Sequence, residues 1–180
     1  MDWMDEVKRR IDNRNQILFA KDSAYLQDLI ALFQNQDHRT MILWAQDLAA
    51  ESVARLLEKY PEEKRPSEAL KASKDWAAGK IKMRQAQRKI LDCHAFAKEI
   101  ACKADIATCH AIGQACAVVH TAGHAIGYPI YDLTSLVYEL GIHNCVQAIE
   151  HRKQTYREKL FYWKVHFAEH AEAWAHFLNK

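Results

Sequence analysis

The chain has 180 residues, 49% of them apolar, which is enough to form one domain with a buried core and excludes a disordered chain. Its 25 basic and 23 acidic side chains leave a formal net charge of +2, so the chain as a whole has no strong attraction for nucleic acid. Five glycines and three prolines are too few for the many turns of an all-β protein, and we therefore expect an all-α fold.

The amino terminus and the apolar segments argue against export and membrane insertion. The first residues, Met1 to Glu6, are acidic, whereas a signal peptide begins with a basic segment. No charge-free apolar stretch reaches the length of a membrane span. The sequence therefore predicts a cytoplasmic protein without a membrane partner.

Five cysteines occur in the chain, an odd number, and no two of them form a CxxC pair. In a helical chain without a signal peptide, this pattern favours free, buried thiols over a disulfide framework or a metal site. They are Cys93, Cys102, Cys109, Cys116 and Cys145.

The first forty residues carry a weak pattern, and the first well-defined helix follows them. Residues Ala24–Phe33 look helical, while Asp12–Asn15 is rich in turn-forming residues and indicates a break. Apolar residues at helical spacing predict a helix over Met41–Tyr60. We expect Thr40 to cap it and Pro61 to end it.

Three further elements are expected in the middle of the chain. A short helix over Ser67–Ala78 should end at Gly79, and another should span Met83–Cys102. Asp105 is the expected N-cap of a helix over Ile106–Ala122. Because Ala, Gly, Cys and Val make this last helix apolar nearly all round, it should be the central helix of a multi-helix bundle.

The last third of the chain predicts two helices. The turn Gly127–Pro129 begins one that reaches Leu140 and ends at Gly141, and a long C-terminal helix should span His143–Leu178. This long helix carries a narrow apolar seam of Tyr156, Leu160, Trp163, Phe167, Ala171, Trp174 and Leu178. The seam is either core or an interface for a partner or a second copy. We expect one helical domain over residues 1–180.

One set of potential metal ligands recurs at spacings of seven, four and four residues: Cys109, Cys116, His120 and His124. Eight helical residues span about 12 Å, so one ion cannot take the whole row, but it could take His120 and His124. Further ligands would have to come from another helix, and the candidates are His94, His110 and His143. The string from His120 to His124 lacks the glutamate base of HExxH, and we expect both histidines to be structural.

Two other arrangements carry less chemical information, although two histidine pairs at helical spacing are a mild excess over what composition predicts. His166 and His170 form a second pair at helical spacing and indicate a histidine-lined surface. Arg88 and His94 match a loose spacing found in some helical ribonucleases, which ten arginines and ten histidines produce by chance.

A basic segment lies in the expected C-terminal helix. It consists of His151, Arg152, Lys153, Arg157, Lys159 and Lys164. Such a segment is usually the solvated face of an amphipathic helix. Arg152, Lys153, Arg157 and Lys164 are the expected partner surface, and the same face could instead contact phosphates in a nucleic-acid adaptor.

Two stretches of the chain match a known pattern of order and spacing. The first runs from Leu43-Trp44-Ala45-Gln46-Asp47 through Glu63-Lys64-Arg65-Pro66 to Asp75–Ile81, and the second is Ala117–Gly127. They resemble the immunity-five-like family of bacterial polymorphic toxin systems over about Met41–Leu140. The motif positions are Trp44, Asp47, Arg65, Pro66, Trp76, Gly79, His120 and His124.

The resemblance implies a protein without catalytic residues or cofactor, which binds and neutralises a cognate toxin. We expect most motif positions to determine the fold, with Arg65 holding a carboxylate such as Asp47. The residues themselves show no Walker loop, GxGxxG motif or GxSxG elbow. A metal-dependent enzyme using His120 and His124, and a nucleic-acid adaptor using the face from Arg152 to Lys164, remain the alternatives.

Overall fold

The computed structural model describes residues 2–179, which contain eight α-helices and no β-strand. The helices are α1 (Trp3–Asp12), α2 (Gln27–Gln34), α3 (His38–Lys59), α4 (Arg65–Ala77), α5 (Met83–Phe96), α6 (Lys103–Ala117), α7 (Gly127–Leu140) and α8 (Val146–His166). The prediction of an all-α bundle is confirmed. No helix in the described part of the chain is both long and apolar enough to cross a membrane. That residues 1–180 form a single domain stays a prediction.

Helix α6 is the centre of the bundle, as its composition predicts. It packs against α3, α4, α5 and α7, and Cys109, Ile112 and Cys116 are completely buried in it. The small side chains of Ala, Gly and Cys let four neighbouring helices approach one helix closely. The prediction of a central Ala/Gly/Cys-rich helix is therefore confirmed, although α6 ends at Ala117 and not at Ala122.

Helix α3 supplies the largest completely buried side chain in the described part of the chain. Trp44 is fully buried and makes edge-on contacts with the rings of Phe33, Tyr128 and Tyr156. Its indole Nε1 donates a hydrogen bond to the carbonyl oxygen of Tyr156 at 2.9 Å, so the polar atom of the ring is satisfied in the interior. Trp44 thereby joins α2, α3, α7 and α8.

Two predicted N-caps are wrong. Helix α3 begins at His38 because the Asp37 side chain accepts from the amide of Arg39 at 2.8 Å, which leaves Thr40 buried inside the helix. Helix α5 ends at Phe96, well before Cys102, and Cys102 is the N-cap of α6. Asp105 lies in the first turn of α6, where its carboxylate accepts hydrogen bonds from Lys59 and Tyr60.

The long C-terminal helix is shorter than predicted. Helix α8 ends at His166, and the residues that follow, 167–179, form the C-terminal segment, which contains short 3-10 turns at Phe167–Glu169 and His176–Leu178. This segment reaches the end of α4, where the amide of Ala175 donates to the carbonyl of Ala77 at 2.7 Å. Gly79 has a φ of +74° there, and a side chain on it would touch Ala175.

Candidate functional site

The motif positions of the family resemblance lie in different parts of the molecule. Trp44 belongs to the core, and Asp47 lies one turn later on α3, at the surface. The Asp47 Oδ2 atom accepts hydrogen bonds from Lys159 Nζ at 2.9 Å and from Trp163 Nε1 at 3.0 Å. Asp47 thus connects α3 to α8.

Arg65 holds a carboxylate, as expected, but Asp47 is not its partner. Arg65 donates to Glu63, two residues upstream, and to Glu99, which follows α5, with shortest distances of 2.6 Å to each. The guanidinium also lies over the ring of Phe96. Arg65 therefore fixes the start of α4 against the end of α5, and Pro66 is buried in the first turn of α4.

The remaining motif positions surround the end of α4. Trp76 stacks on the ring of His120 at a centroid distance of 6.4 Å and packs against Phe177 of the C-terminal segment. His124 lies 6.4 Å from His120, ring to ring, and its Nδ1 is 3.4 Å from Gln114 Oε1. These contacts are those of packed side chains, and the role of these residues in determining the fold stays a prediction.

The row of potential metal ligands, Cys109, Cys116, His120 and His124, does not converge on one point. Cys109 and Cys116 are completely buried, and burial raises the pKa of the Cys116 thiol to about 12, which opposes formation of the thiolate that binds metal. Among residues 2–179, no three His, Cys, Asp or Glu side chains come together as a potential metal site. His143 and Arg88 are exposed on other parts of the surface.

The structure instead pairs two histidines that no spacing rule indicated. His94 of α5 and His110 of α6 approach to 2.7 Å between their Nδ1 atoms, so one ring donates and the other accepts. Burial, together with the neighbouring His110, lowers the pKa of His94 to about 4, and burial also lowers the pKa of His110. The pair is therefore held in the neutral form at neutral pH.

The basic segment of α8 faces inward in its first half. Arg152 Nε donates to the fully buried Asp132 of α7 at 2.6 Å, and Arg152 also contacts Glu51 and the hydroxyl of Tyr128. Arg55 and the hydroxyl of Tyr156 complete the shell around the Asp132 carboxylate. Burial alone would raise the pKa of Asp132, but the two arginines lower it overall.

The four residues of the predicted partner surface are consequently only partly exposed, and their role in binding stays a prediction. Lys153 is buried, donates to the carbonyl of Tyr25 and pairs with Asp28, so neither Arg152 nor Lys153 belongs to a free basic face. Arg157 is half-exposed and also pairs with Asp28, while Lys164 is exposed. Carboxylates of α2, α3 and α7 neutralise the basic side chains at the start of α8. The spacing of residues along α8 alone could not reveal these partners.

A cleft of about 310 Å³ opens between α3, α4, the end of α8 and the C-terminal segment. Its wall contains the residues Gln46, Asp47, Lys74, Trp163, Glu172 and Trp174, together with His170. His170 packs against Trp174 at a ring distance of 4.8 Å, and Glu172 forms an ion pair with Lys80, which lowers the pKa of Glu172. The cleft combines aromatic rings with charged groups of both signs.

The predicted apolar seam divides between three environments. Tyr156, Leu160 and Leu178 are in the core, Trp163 and Trp174 line the cleft, and Ala171 is exposed. The most exposed apolar side chains near the end of α8 lie outside the seam. They are Phe161, Tyr162 and Val165, with exposures of 70%, 48% and 57%. The imidazole of His166 stacks on the ring of Tyr162.

Comparison with known proteins gives one match. The family model described as an Imm-5 like putative immunity protein matches residues 31–159, which extends beyond the expected family region at both ends. Neither the curated proteins nor the solved structures contain a match to this chain. The matched region covers α3 to α7, most of α8 and the motif positions from Trp44 to His124. The chain therefore belongs to the Imm-5-like immunity protein family.

Proposed function

We propose that the chain is the immunity protein of a bacterial polymorphic toxin system, and that it binds its cognate toxin in the cytoplasm and neutralises it by direct contact. The observation that carries this proposal is the family match over residues 31–159. A protein of this kind needs no catalytic group, because a stable complex that covers the toxin's active surface is sufficient.

A rigid scaffold supports a function in binding. The shell around Asp132 joins α3, α7 and α8 through Arg55, Arg152 and Tyr156. Such internal connections hold the surface in one conformation, and a preorganised surface loses less conformational entropy when a partner binds.

Two adjoining features of the surface suit contact with a protein partner. One is the cleft with its two tryptophans, since aromatic side chains in pockets are common anchors of interfaces. The other is the exposed end of α8, where Lys164 lies between Phe161 and Val165 in sequence. Apolar groups with a charged neighbour are typical of interface surfaces.

The proposal is tested by co-expression with the toxin encoded in the adjacent reading frame. Growth should be rescued, and the two proteins should co-purify as a complex of fixed stoichiometry. Rescue should scale with the amount of immunity protein, because a stoichiometric inhibitor is consumed by its target. Protection at strongly substoichiometric levels, or rescue without a complex, would reject direct neutralisation.

A further inference from the structure

We infer that the cleft between α3, α4 and the C-terminal segment receives an arginine side chain of the partner. The inference rests on the proposed function for the identity of that partner, but the recognition of arginine can be measured without it. The cleft provides the two kinds of group that a guanidinium needs, an aromatic surface and an available carboxylate oxygen.

The available oxygen belongs to Asp47. Both of its protein hydrogen bonds, from Lys159 Nζ and Trp163 Nε1, end on Oδ2. Oδ1 accepts no hydrogen bond from any residue between 2 and 179, and the Asp47 side chain is 28% exposed at the wall of the cleft. Asp47 therefore has one oxygen held by the protein and one that can accept from a ligand.

The aromatic surface comes from Trp163 and Trp174. Both indoles line the cleft and both are only partly buried, so their rings remain accessible. The Trp163 ring is fixed beside the Asp47 carboxylate by its own hydrogen bond. A planar guanidinium can stack on an indole while it donates to a carboxylate, which an ammonium cannot do equally well.

Lys74 adds a condition to the partner. It lines the same cleft and forms no ion pair with any of the described residues, and Lys159 already pairs with Asp47, so the two lysines together weaken the attraction for an isolated cation. A partner that carries a carboxylate near its arginine would satisfy Lys74 as well. We therefore expect an arginine with an acidic neighbour on the toxin surface.

The family match covers one side of the cleft but not the other. Asp47 and Lys74 lie within residues 31–159, whereas Trp163, His170, Glu172 and Trp174 follow them. The C-terminal segment contributes His170, Glu172 and Trp174 to that second side, and it is attached to the end of α4 through Ala175. Selectivity for one partner can therefore reside in this segment while the charge recognition lies on α3.

The direct test uses N-acetyl-arginine amide as the probe and the indole N–H resonances of the five tryptophans as the readout. The resonances of Trp163 and Trp174 should shift on titration, while those of Trp3, on α1, and of Trp44, whose indole is completely buried, should not. N-acetyl-citrulline amide has the same shape without the charge and should give no saturable shift. Equal shifts with both probes, or none at Trp163 and Trp174, would overturn the inference.

Two substitutions should change the affinity for the probe in opposite directions. Asp47→Asn should weaken binding by about fivefold or more, because it removes the charge that the guanidinium meets. Lys74→Gln should strengthen it by about threefold, because it removes a repulsive charge at the edge of the cleft. Glu139→Gln, an exposed site on α7, is the matched control and should leave the affinity unchanged. Thermal unfolding of each variant shows whether it still folds. Trp174→Ala, which removes one indole from the cleft, tests the aromatic surface independently of the charges.

Co-expression separates this inference from the proposed function. If the wild-type chain rescues growth and Asp47→Asn and Trp174→Ala lose the complex while remaining folded, the cleft is the contact site. Rescue and complex formation that persist in both folded variants would reject the cleft and leave the proposed function intact. A wild-type chain that binds the arginine probe but forms no complex with the toxin would reject the proposed function alone.

Discussion

Two carboxylates of this protein meet cations from the same helix, α8, with opposite results. Asp132 is completely buried, and Arg152, Arg55 and Tyr156 occupy both of its oxygens. Asp47 keeps part of its surface exposed, and only one of its oxygens accepts a hydrogen bond from residues 2–179. The first has no capacity left for a ligand and stabilises the fold, whereas the second can still accept one. Both residues are aspartates that pair with a basic side chain of α8. The structural carboxylate therefore differs from the one available for recognition in its burial and in having no oxygen free to accept from a ligand.

The largest effect should come from opening the Asp132 shell. Asp132→Ala leaves the buried Arg152 without its main counter-charge and should lower the free energy of unfolding by about 3–5 kcal/mol. The measurement is urea unfolding followed by circular dichroism. The control is Arg157→Ala, whose pair with Asp28 is half-exposed and should contribute less than about 1 kcal/mol. Similar losses in both variants would show that burial does not separate the two kinds of ion pair.

The next effect concerns the close packing of α6 against α5. A Cβ atom on Gly113 would collide with the imidazole of His94, so Gly113→Leu should overpack the site and cost about 1–3 kcal/mol or more. Because the obstacle is one side chain, the same substitution should cost less in a His94→Ala background. A double-mutant cycle by thermal unfolding measures this coupling. An unchanged melting temperature for Gly113→Leu would contradict the placement of α6.

The neutral pair of His94 and His110 predicts that stability falls in acid. The folded pKa of His94, about 4, lies below the ordinary value of 6.5, so the unfolded chain binds a proton first as the pH falls. The stabilisation is therefore complete above pH 6.5 and is lost as the pH approaches 4. After allowance for the partly exposed ring, this linkage should amount to about 1–2 kcal/mol.

Unfolding of the wild type and of His94→Gln between pH 7 and pH 4 checks this dependence. The slope of stability against pH should be smaller in the variant, because it removes the histidine whose pKa is lowered to about 4. Lys98 also lowers the pKa of His110, so His110→Gln should reduce the slope as well. A wild-type slope that neither variant reduces would assign the acid sensitivity to other groups.

The sequence predicts features that depend on neighbours along the chain. The composition of α6 indicates its central position, and Gly79 and Gly141, both with positive φ, end helices where they were expected to. Arg14, also with positive φ, lies in the predicted break at Asp12–Asn15. Each of these signals is local, because a cap, a turn or an apolar helix face is determined by residues a few positions apart.

The features that the sequence did not predict depend on distant residues. Asp132 and Arg152 lie on different helices, and nothing in either helix indicates that they meet. The apolar spacing of α8 continues to Leu178, but the helix ends at His166. Ala175 and Leu178 are instead buried as part of the C-terminal segment, where Ala175 bonds the end of α4. The cleft at Asp47 exists only because of this change of direction. The family resemblance singled out Asp47 in the sequence, but it did not indicate which residues Asp47 contacts.

The smallest effect on stability should come from Asp47, and it decides whether the two carboxylates differ as described. In Asp47→Asn the amide oxygen can still accept from Trp163 Nε1, and Lys159 keeps its ion pair with Glu51 at 3.0 Å. The loss should therefore be about 0.5–1 kcal/mol, as for other exposed ion pairs. Asp132→Asn should cost several times more under the same conditions, because Arg152 has little access to water. Urea unfolding of the two isosteric variants gives the ratio directly. If Asp47→Asn is as destabilising as Asp132→Asn, then Asp47 stabilises the fold in the same way, and its open oxygen is no reason to assign it to a partner.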